Sequence, residues 1–297
     1  MEFFTGKMAY LHSGHAQFPL LLGHEWAGTV ISVGDEVDSS WIGKRVTGDT
    51  MLGCGQCARC LGGLQHVCHD RSEIGIRNGR PGALAEEIAV PISHLHLLPE
   101  SMDMALGALV EPGGNAWRSV DAAQLSEGDS VLVIGAGTIG LLCAMIAKAE
   151  GADVHILGRS ERSLNFAGTL GFLKVYSASN PPTQLFDAVI EASNSVSAPA
   201  NAIKFCLPGK RVVYIGISEE PSLIDSRDLV LNDITAVGIL SASPGLEATI
   251  SLYASGRVDP RPLIAQTVGL EFAGQILSGA HLEGAGLGPK FHIDPRI

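Results

Sequence analysis

Hydrophobic and polar positions follow two rhythms along this chain. Through residues 1–112, apolar residues come in short runs broken by glycine and proline. The runs at 27–33 (AGTVISV) and 86–90 (EEIAV) read as strands between turns, which predicts a loop-rich, mostly β domain. From about Asp129 the pattern lengthens. Ser130–Ile134 is a short apolar run suited to a buried strand, and 139–150 has the periodicity of a helix. Gly151 follows, where a helix C-terminus favours glycine. Further strands are predicted at 153–157, Phe186–Glu191 and 211–217, with a helix through Leu164, Ala167 and Leu170. Strands alternating with helices predict an α/β unit, a doubly wound parallel sheet covered on both faces. After about Gly256 the loop-rich texture returns. The predicted organisation is a first domain over 1–112, an inserted α/β domain over 113–256, and a return to the first domain over 257–297.

A length of 297 residues fits two domains of ordinary size, and 46% hydrophobic with 17% charged residues supports a sizeable core. The net charge of -11 repels a phosphate backbone, so nucleic acid is not expected as a partner. The longest uncharged stretch, 130–147, falls short of the roughly 20 residues of a membrane span and contains three glycines. Residues 1–4 lack a basic region followed by a long apolar one, so no secretory leader or membrane association is expected, and the cytoplasm is the default location. Four of the six cysteines crowd into 54–68, which in a cytosolic chain favours metal over disulfides. Cys143 and Cys206 lie among apolar residues and read as core.

Gly135, Gly137 and Gly140 form a Gly-x-Gly-x-x-Gly turn between the strand Ser130–Ile134 and the helix that follows. The flanking elements make the pattern informative. Gly135 permits the tight turn, Gly137 lets amides approach a pyrophosphate, and Gly140 allows close packing of helix on strand. Thr138 and Ile139 open the helix, whose N-terminus offers free amides and partial positive charge. A plain strand–turn–helix of an unrelated sheet is the alternative. An NAD site would place an acid at the end of the next strand. The chain has Leu157-Gly158-Arg159-Ser160 there instead, with Glu161 past the usual position. Arg159 suits a 2′-phosphate, so NADP(H) is favoured over NAD(H). The alternative is that Arg159 is a solvated loop residue.

Cys54, Cys57, Cys60 and Cys68 are spaced by two, two and seven residues. Four thiolates suit a closed tetrahedral zinc site that pins a loop. Iron–sulfur spacings differ, and a redox dithiol would leave two cysteines unexplained. With four thiols present, His66 and His69 read as surface residues. Upstream, Gly23-His24-Glu25-Trp26 is not a zincin helix, because Gly28 stands where the second histidine belongs.

Taken in order, Gly23-His24-Glu25 with Gly28, then Gly43-Lys44-Arg45-Val46, the four cysteines, Val110-Glu111-Pro112 and the glycine turn resemble the zinc-containing medium-chain dehydrogenase/reductase family, in its alcohol and polyol (sorbitol dehydrogenase-like) branch. The resemblance covers essentially the whole chain. It implies a GroES-like catalytic domain with an inserted Rossmann domain. It makes His24 and Glu111 ligands of a catalytic zinc, with Glu25 beside them as a transient ligand or neighbour. A glutamate rather than a cysteine at 111 is the polyol branch's choice. The implied reaction passes hydride between a secondary alcohol (polyol, sugar or cyclitol-like) and NAD(P), in a homo-oligomer. A non-catalytic dinucleotide-binding relative and a zinc-free quinone or enone reductase of the same superfamily are the competing readings. Members of the family begin with additional strands and a Cys-Gly-Thr/Ser-Asp segment, expected just before Glu2. By that comparison the chain is expected to lack the first zinc ligand and to hold catalytic zinc weakly. His12 and His15, in the following loop, are expected at the surface; the alternative is that they approach the zinc in place of that ligand.

Overall fold

The computed structural model describes residues 6–7, 9–280 and 282–297. They fall into two compact units, one of Met1–Gly114, Ser241–Ala285 and Phe291–Ile297, the other of Asn115–Leu240 and Gly286–Lys290.

In the first unit, strands β1 (Gly28–Thr29), β2 (Arg45–Gly48) and β5 (Leu95–Leu97) form an antiparallel sheet in the order β1-β2-β5. Strands β3 (Met51–Leu52) and β4 (Ser72–Glu73) pair as a short hairpin, Met51 opposite Glu73 and Leu52 opposite Ser72. Val46, Met51, Leu52, Ile74, Leu106 and Leu109 are buried beneath these strands and the turns between them. The predicted strand at 27–33 is mostly irregular. Gly28 and Thr29 lie in the ladder, and Val30 continues it only through bonds to Lys44 and Gly43. The predicted strand at 86–90 does not form. Among the described residues no strand pairs with that segment, and a run of β-favouring residues without a ladder leaves coil.

The second unit carries a six-stranded, all-parallel sheet in the order β11-β10-β9-β6-β7-β8. Its strands are β6 (Ser130–Ile134), β7 (Asp153–Gly158), β8 (Val175–Ser177), β9 (Phe186–Glu191), β10 (Cys206–Tyr214) and β11 (Thr235–Gly238). Helix α1 (Val110–Ala123) leads into it; α2 (Thr138–Ala149), α3 (Glu161–Thr169), α4 (Ala198–Lys204) and α5 (Ser226–Leu231) alternate with its strands. Val131, Leu132 and Val133 are fully buried, as a central strand covered on both faces requires. Gly151 takes φ +88° just past the end of α2. Cys143 and Cys206 are buried core thiols. Strand β10 ends at Tyr214 rather than at 217, because the amides of Ile215 and Gly216 both turn to the carbonyl of Glu191.

The return to the first unit comes at Ser241, earlier than the sequence reading of residue 257. Helix α6 (Leu246–Ala254) therefore belongs with the first unit. Packing explains this: Tyr253 donates its hydroxyl to the Leu109 carbonyl, and Gly114 lies flush against Ala242 and Leu246.

Candidate metal and cofactor sites

The four cysteines occupy the loop of the β3–β4 hairpin. Cys54 follows β3, Cys57 caps the short helix Ala58–Leu61, Cys60 lies within it, and Cys68 closes a 3-10 turn just before β4. Their sulfurs lie within 4.8 Å of one another. Individual Sγ–Sγ separations are 3.6 Å for Cys57–Cys60, 3.8 Å for Cys57–Cys68 and 3.9 Å for Cys54–Cys60. A tetrahedron with Zn–S bonds of about 2.3 Å has edges of about 3.8 Å, so the cluster fits zinc without rearrangement. Amides of Gln56 and Cys57 draw the Cys54 thiol down to about 7, whereas desolvation pushes Cys60 up to about 11. Gly53 is required for this knot, since a Cβ there would stand 2.7 Å from the Cys60 sulfur. His69 is exposed and bonds Asp70 at 3.1 Å. His66, in contrast, is buried at 4% exposure. The turn that carries Cys68 inward takes His66 with it, which corrects the surface assignment.

His24, Glu25 and Glu111 bring one ligand atom each to within 4.8 Å of the others. The segment before His24 is held by three bonds, Gly82 N to Leu21 O, Leu84 N to Leu22 O and Ala83 N to Gly23 O, at 2.8–2.9 Å. Gly23 has φ +99°, and a Cβ there would meet the Leu84 nitrogen at 2.7 Å, so only glycine fits beside His24. Glu111 projects from the first turn of α1 and is buried. Thr50 Oγ1 lies 3.2 Å from Glu111 Oε1 and 3.3 Å from the His24 carbonyl. One imidazole with two carboxylates is a donor set suited to zinc or a similar divalent cation.

Beside this group, buried Asp49 accepts from His94 Nδ1 at 3.0 Å and lies 3.4 Å from His96 Nε2. Burial alone would raise the Asp49 carboxyl, but the bonds from His94 and His96 outweigh it and hold it at about 2. Burial lowers His96, yet its bonds to Asp49 and Glu247 raise it on balance. His12 is exposed. His15 is not a free surface residue: it is half-buried, with Nε2 3.0 Å from the buried Glu73 carboxylate, which Arg71 also engages at 2.8 Å. A buried carboxylate recruits such partners because leaving it unpaired is costly. Residues 2–5, before which the Cys-Gly-Thr/Ser-Asp segment was expected, lie outside the described residues.

The glycine turn joins β6 to α2. Gly135 takes φ +112° and donates its amide to the Leu157 carbonyl at 2.8 Å. A Cβ at Gly140 would stand 1.7 Å from the Gly135 oxygen, whereas one at Gly137 would meet nothing within 4 Å. Gly140 therefore serves packing, and Gly137 leaves open space over the turn. The amides of Thr138, Ile139 and Gly140 head α2, where a helix has no internal acceptors for them. The sheet reverses direction of winding between β6 and β9, the place where open α/β sheets bind ligands. Across that point stands a residue missed in the sequence: Glu191, buried at the end of β9, accepts from Ser193 N at 2.8 Å and Ser193 Oγ at 2.5 Å. Burial raises its carboxyl above the ordinary range. Its position as the acidic last residue of the predicted strand, directly after Ala188-Val189-Ile190, was the available signal. At the end of β7, Arg159 is exposed, and Ser160 caps α3 by accepting from Ser163 N at 3.2 Å. Glu161 lies in the helix, past the strand end.

Residues 1–100 match the family described as alcohol dehydrogenase GroES-like domain, and residues 138–255 match zinc-binding dehydrogenase. The L-threonine 3-dehydrogenases of Pectobacterium atrosepticum and Pectobacterium carotovorum subsp. carotovorum are each 31% identical over 232 residues, 74% of this chain. The aligned region spans 63% of the first relative and 67% of the second. Among solved structures, a zinc-binding dehydrogenase of Sinorhizobium meliloti 1021 bound to NADP is 26% identical with a TM-score of 0.86, covering 98% of this chain and 88% of that one. The galactitol-1-phosphate dehydrogenase of Escherichia coli is 25% identical with a TM-score of 0.82, covering 92% and 84%. No helix among the described residues is long and apolar enough to cross a membrane.

Proposed function

The chain belongs to the zinc-type medium-chain dehydrogenase/reductase family, and on that premise we propose that it reversibly oxidises a secondary alcohol to a ketone with a nicotinamide dinucleotide. The convergence of His24, Glu25 and Glu111 carries this reading. Zinc held by these residues supplies Lewis acidity that makes an alcohol easier to deprotonate, and the nicotinamide supplies the hydride acceptor. Glu111, buried and hydrogen-bonded, is the fixed carboxylate of the trio; Glu25, less buried, is the exchangeable one. Cys54, Cys57, Cys60 and Cys68 would hold a second zinc, and four thiolates leave it a structural role.

In this reading the amides of Thr138, Ile139 and Gly140 receive the pyrophosphate over Gly137, with Gly135 making the turn. Arg159 and Ser160 receive the adenosine end, and the missing acid at the end of β7 favours NADP(H) over NAD(H). Glu111 in place of a thiolate favours a polyol, sugar or cyclitol-like substrate, as does likeness to a galactitol-1-phosphate dehydrogenase. A homo-oligomer is proposed from the family resemblance; Leu223, Val230 and Leu231 are large apolar residues left exposed in the second unit. A cytoplasmic location suits six unpaired cysteines.

Metal analysis combined with a panel of polyols, sugars and amino alcohols under both cofactors tests the proposal. A firmly held zinc in the cysteine site, a second and weakly held zinc at His24, Glu25 and Glu111, and slow NADP-dependent turnover of a secondary alcohol are expected. One zinc, tight cofactor binding and no turnover would favour a non-catalytic relative.

A further inference from the structure

Thr50 stands where two halves of the proposed catalytic ligand set meet. Its hydroxyl lies 3.2 Å from Oε1 of Glu111, 61 residues away, and 3.3 Å from the main-chain oxygen of His24. One hydroxyl proton serves both acceptors, and the carboxylate, carrying charge, is the stronger of them. The threonine is itself held by its surroundings. It is buried, its carbonyl accepts from Ile74 N at 2.9 Å, and its neighbour Asp49 donates its amide to the His94 carbonyl at 2.9 Å. Met51 and Leu52 then run straight into the hairpin that ends in the cysteine knot. The hydroxyl is therefore delivered from a buried strand end to one defined oxygen of the Glu111 carboxylate.

We infer that Thr50 is a positioning residue of the catalytic centre, tethering the Glu111 carboxylate to the His24 backbone through its hydroxyl so that both ligands are aimed before metal arrives. The inference rests on the reading of His24, Glu25 and Glu111 as a metal site. Hydrogen-bonded supports of this kind typically change metal affinity by about 10- to 100-fold when removed.

The test compares wild type with Thr50→Val, which keeps the shape and removes the hydroxyl, and Thr50→Ser, which keeps the hydroxyl. Each protein is prepared with zinc in the cysteine site and titrated with Co2+. Visible absorption reports a nitrogen- and oxygen-ligated ion and lacks the strong thiolate charge-transfer band of the cysteine site. Wild type and Thr50→Ser are expected to bind with the same midpoint and spectrum. Thr50→Val is expected to bind at least about 10-fold more weakly, with only a small fall in melting temperature from the lost hydrogen bond. Equal binding by Thr50→Val overturns the role of Thr50 and leaves the metal-site reading intact. Absence of a second Co2+ in wild type overturns the metal-site reading and this inference with it. If Thr50→Val does not fold, Thr50→Ala is read by the same criterion, and failure of both to fold assigns Thr50 to the fold and overturns the proposal.

Discussion

A methyl group placed at Gly140 and one placed at Gly137 should have opposite consequences, although the two glycines are three residues apart. At Gly140 the added carbon would lie 1.7 Å from the Gly135 oxygen and 2.9 Å from its carbonyl carbon. Ordinary carbon–oxygen contacts begin near 3.3 Å, so backbone must move by roughly 1.6 Å. Gly135 has little room to yield, because its amide is bonded to Leu157 and its other side faces the Ala192 carbonyl. Overpacking of a close-packed site costs about 1–3 kcal/mol, and a clash with main chain belongs at the upper end. At about 2–4 °C per kcal/mol, Gly140→Ala should lower the melting temperature by roughly 6–12 °C. It should also carry the amides of Thr138 and Ile139 away from a bound pyrophosphate. Losing one charge-assisted hydrogen bond of about 1.5–3 kcal/mol weakens binding by roughly 10- to 100-fold. At Gly137 the methyl meets no protein atom within 4 Å, and φ of -93° suits alanine. Gly137→Ala should melt like wild type and still lose NADPH affinity by at least about 10-fold, because the methyl occupies the ligand's place. Thermal unfolding and NADPH fluorescence titration of both variants decide it. Wild-type affinity in Gly137→Ala would remove the dinucleotide from this turn, and an unchanged melting temperature in Gly140→Ala would refute the packing argument.

Three further outcomes are expected. Arg159→Ala should weaken NADPH by about 10-fold or more while leaving NADH unchanged, as the loss of a charged bond to a 2′-phosphate requires; equal loss for both cofactors in parallel titrations would contradict that role. Cys57→Ala should release the structural zinc, measured by metal analysis, and lower the melting temperature, while NADPH binding by the second unit stays at the wild-type level. Asp49 is held at about 2, below its ordinary 3.8, so its contribution of roughly 2 kcal/mol is present above pH 4 and is lost as pH falls towards 2. His96 is raised, so its share is full below about pH 6.5 and fades as pH rises through its folded value. Urea midpoints measured across pH should therefore show a flatter acid limb in Asp49→Asn; a limb identical to wild type would remove Asp49 from the account.

The parts of this protein that were legible in the sequence are those whose causes are local. The strand Phe186–Glu191 and the β6–turn–α2 unit follow from an apolar run, three glycines and a helical repeat within a few residues of one another. The cysteine knot is local too, since four thiols within fifteen positions can reach one ion whatever surrounds them. The short run at 86–90 predicted a strand, but a strand exists only when another segment supplies its hydrogen bonds, and pattern alone does not reveal that partner. His66 and His15 were misread for the same reason. Their burial depends on where the chain brings Cys68 and Glu73, and Glu73 lies 58 residues from His15. Thr50 has no motif of its own, and its interest arises only when the fold sets it beside Glu111. Helix α6 joins the first unit because Leu109 and Gly114 offer it a surface more than a hundred residues away. Sequence determined the elements of the parallel-sheet unit and the chemistry the motifs carry, because torsional preference, periodicity and short-range ligand spacing act within a few residues. Tertiary structure decided partners and burial, because these depend on close packing between segments with no fixed separation along the chain.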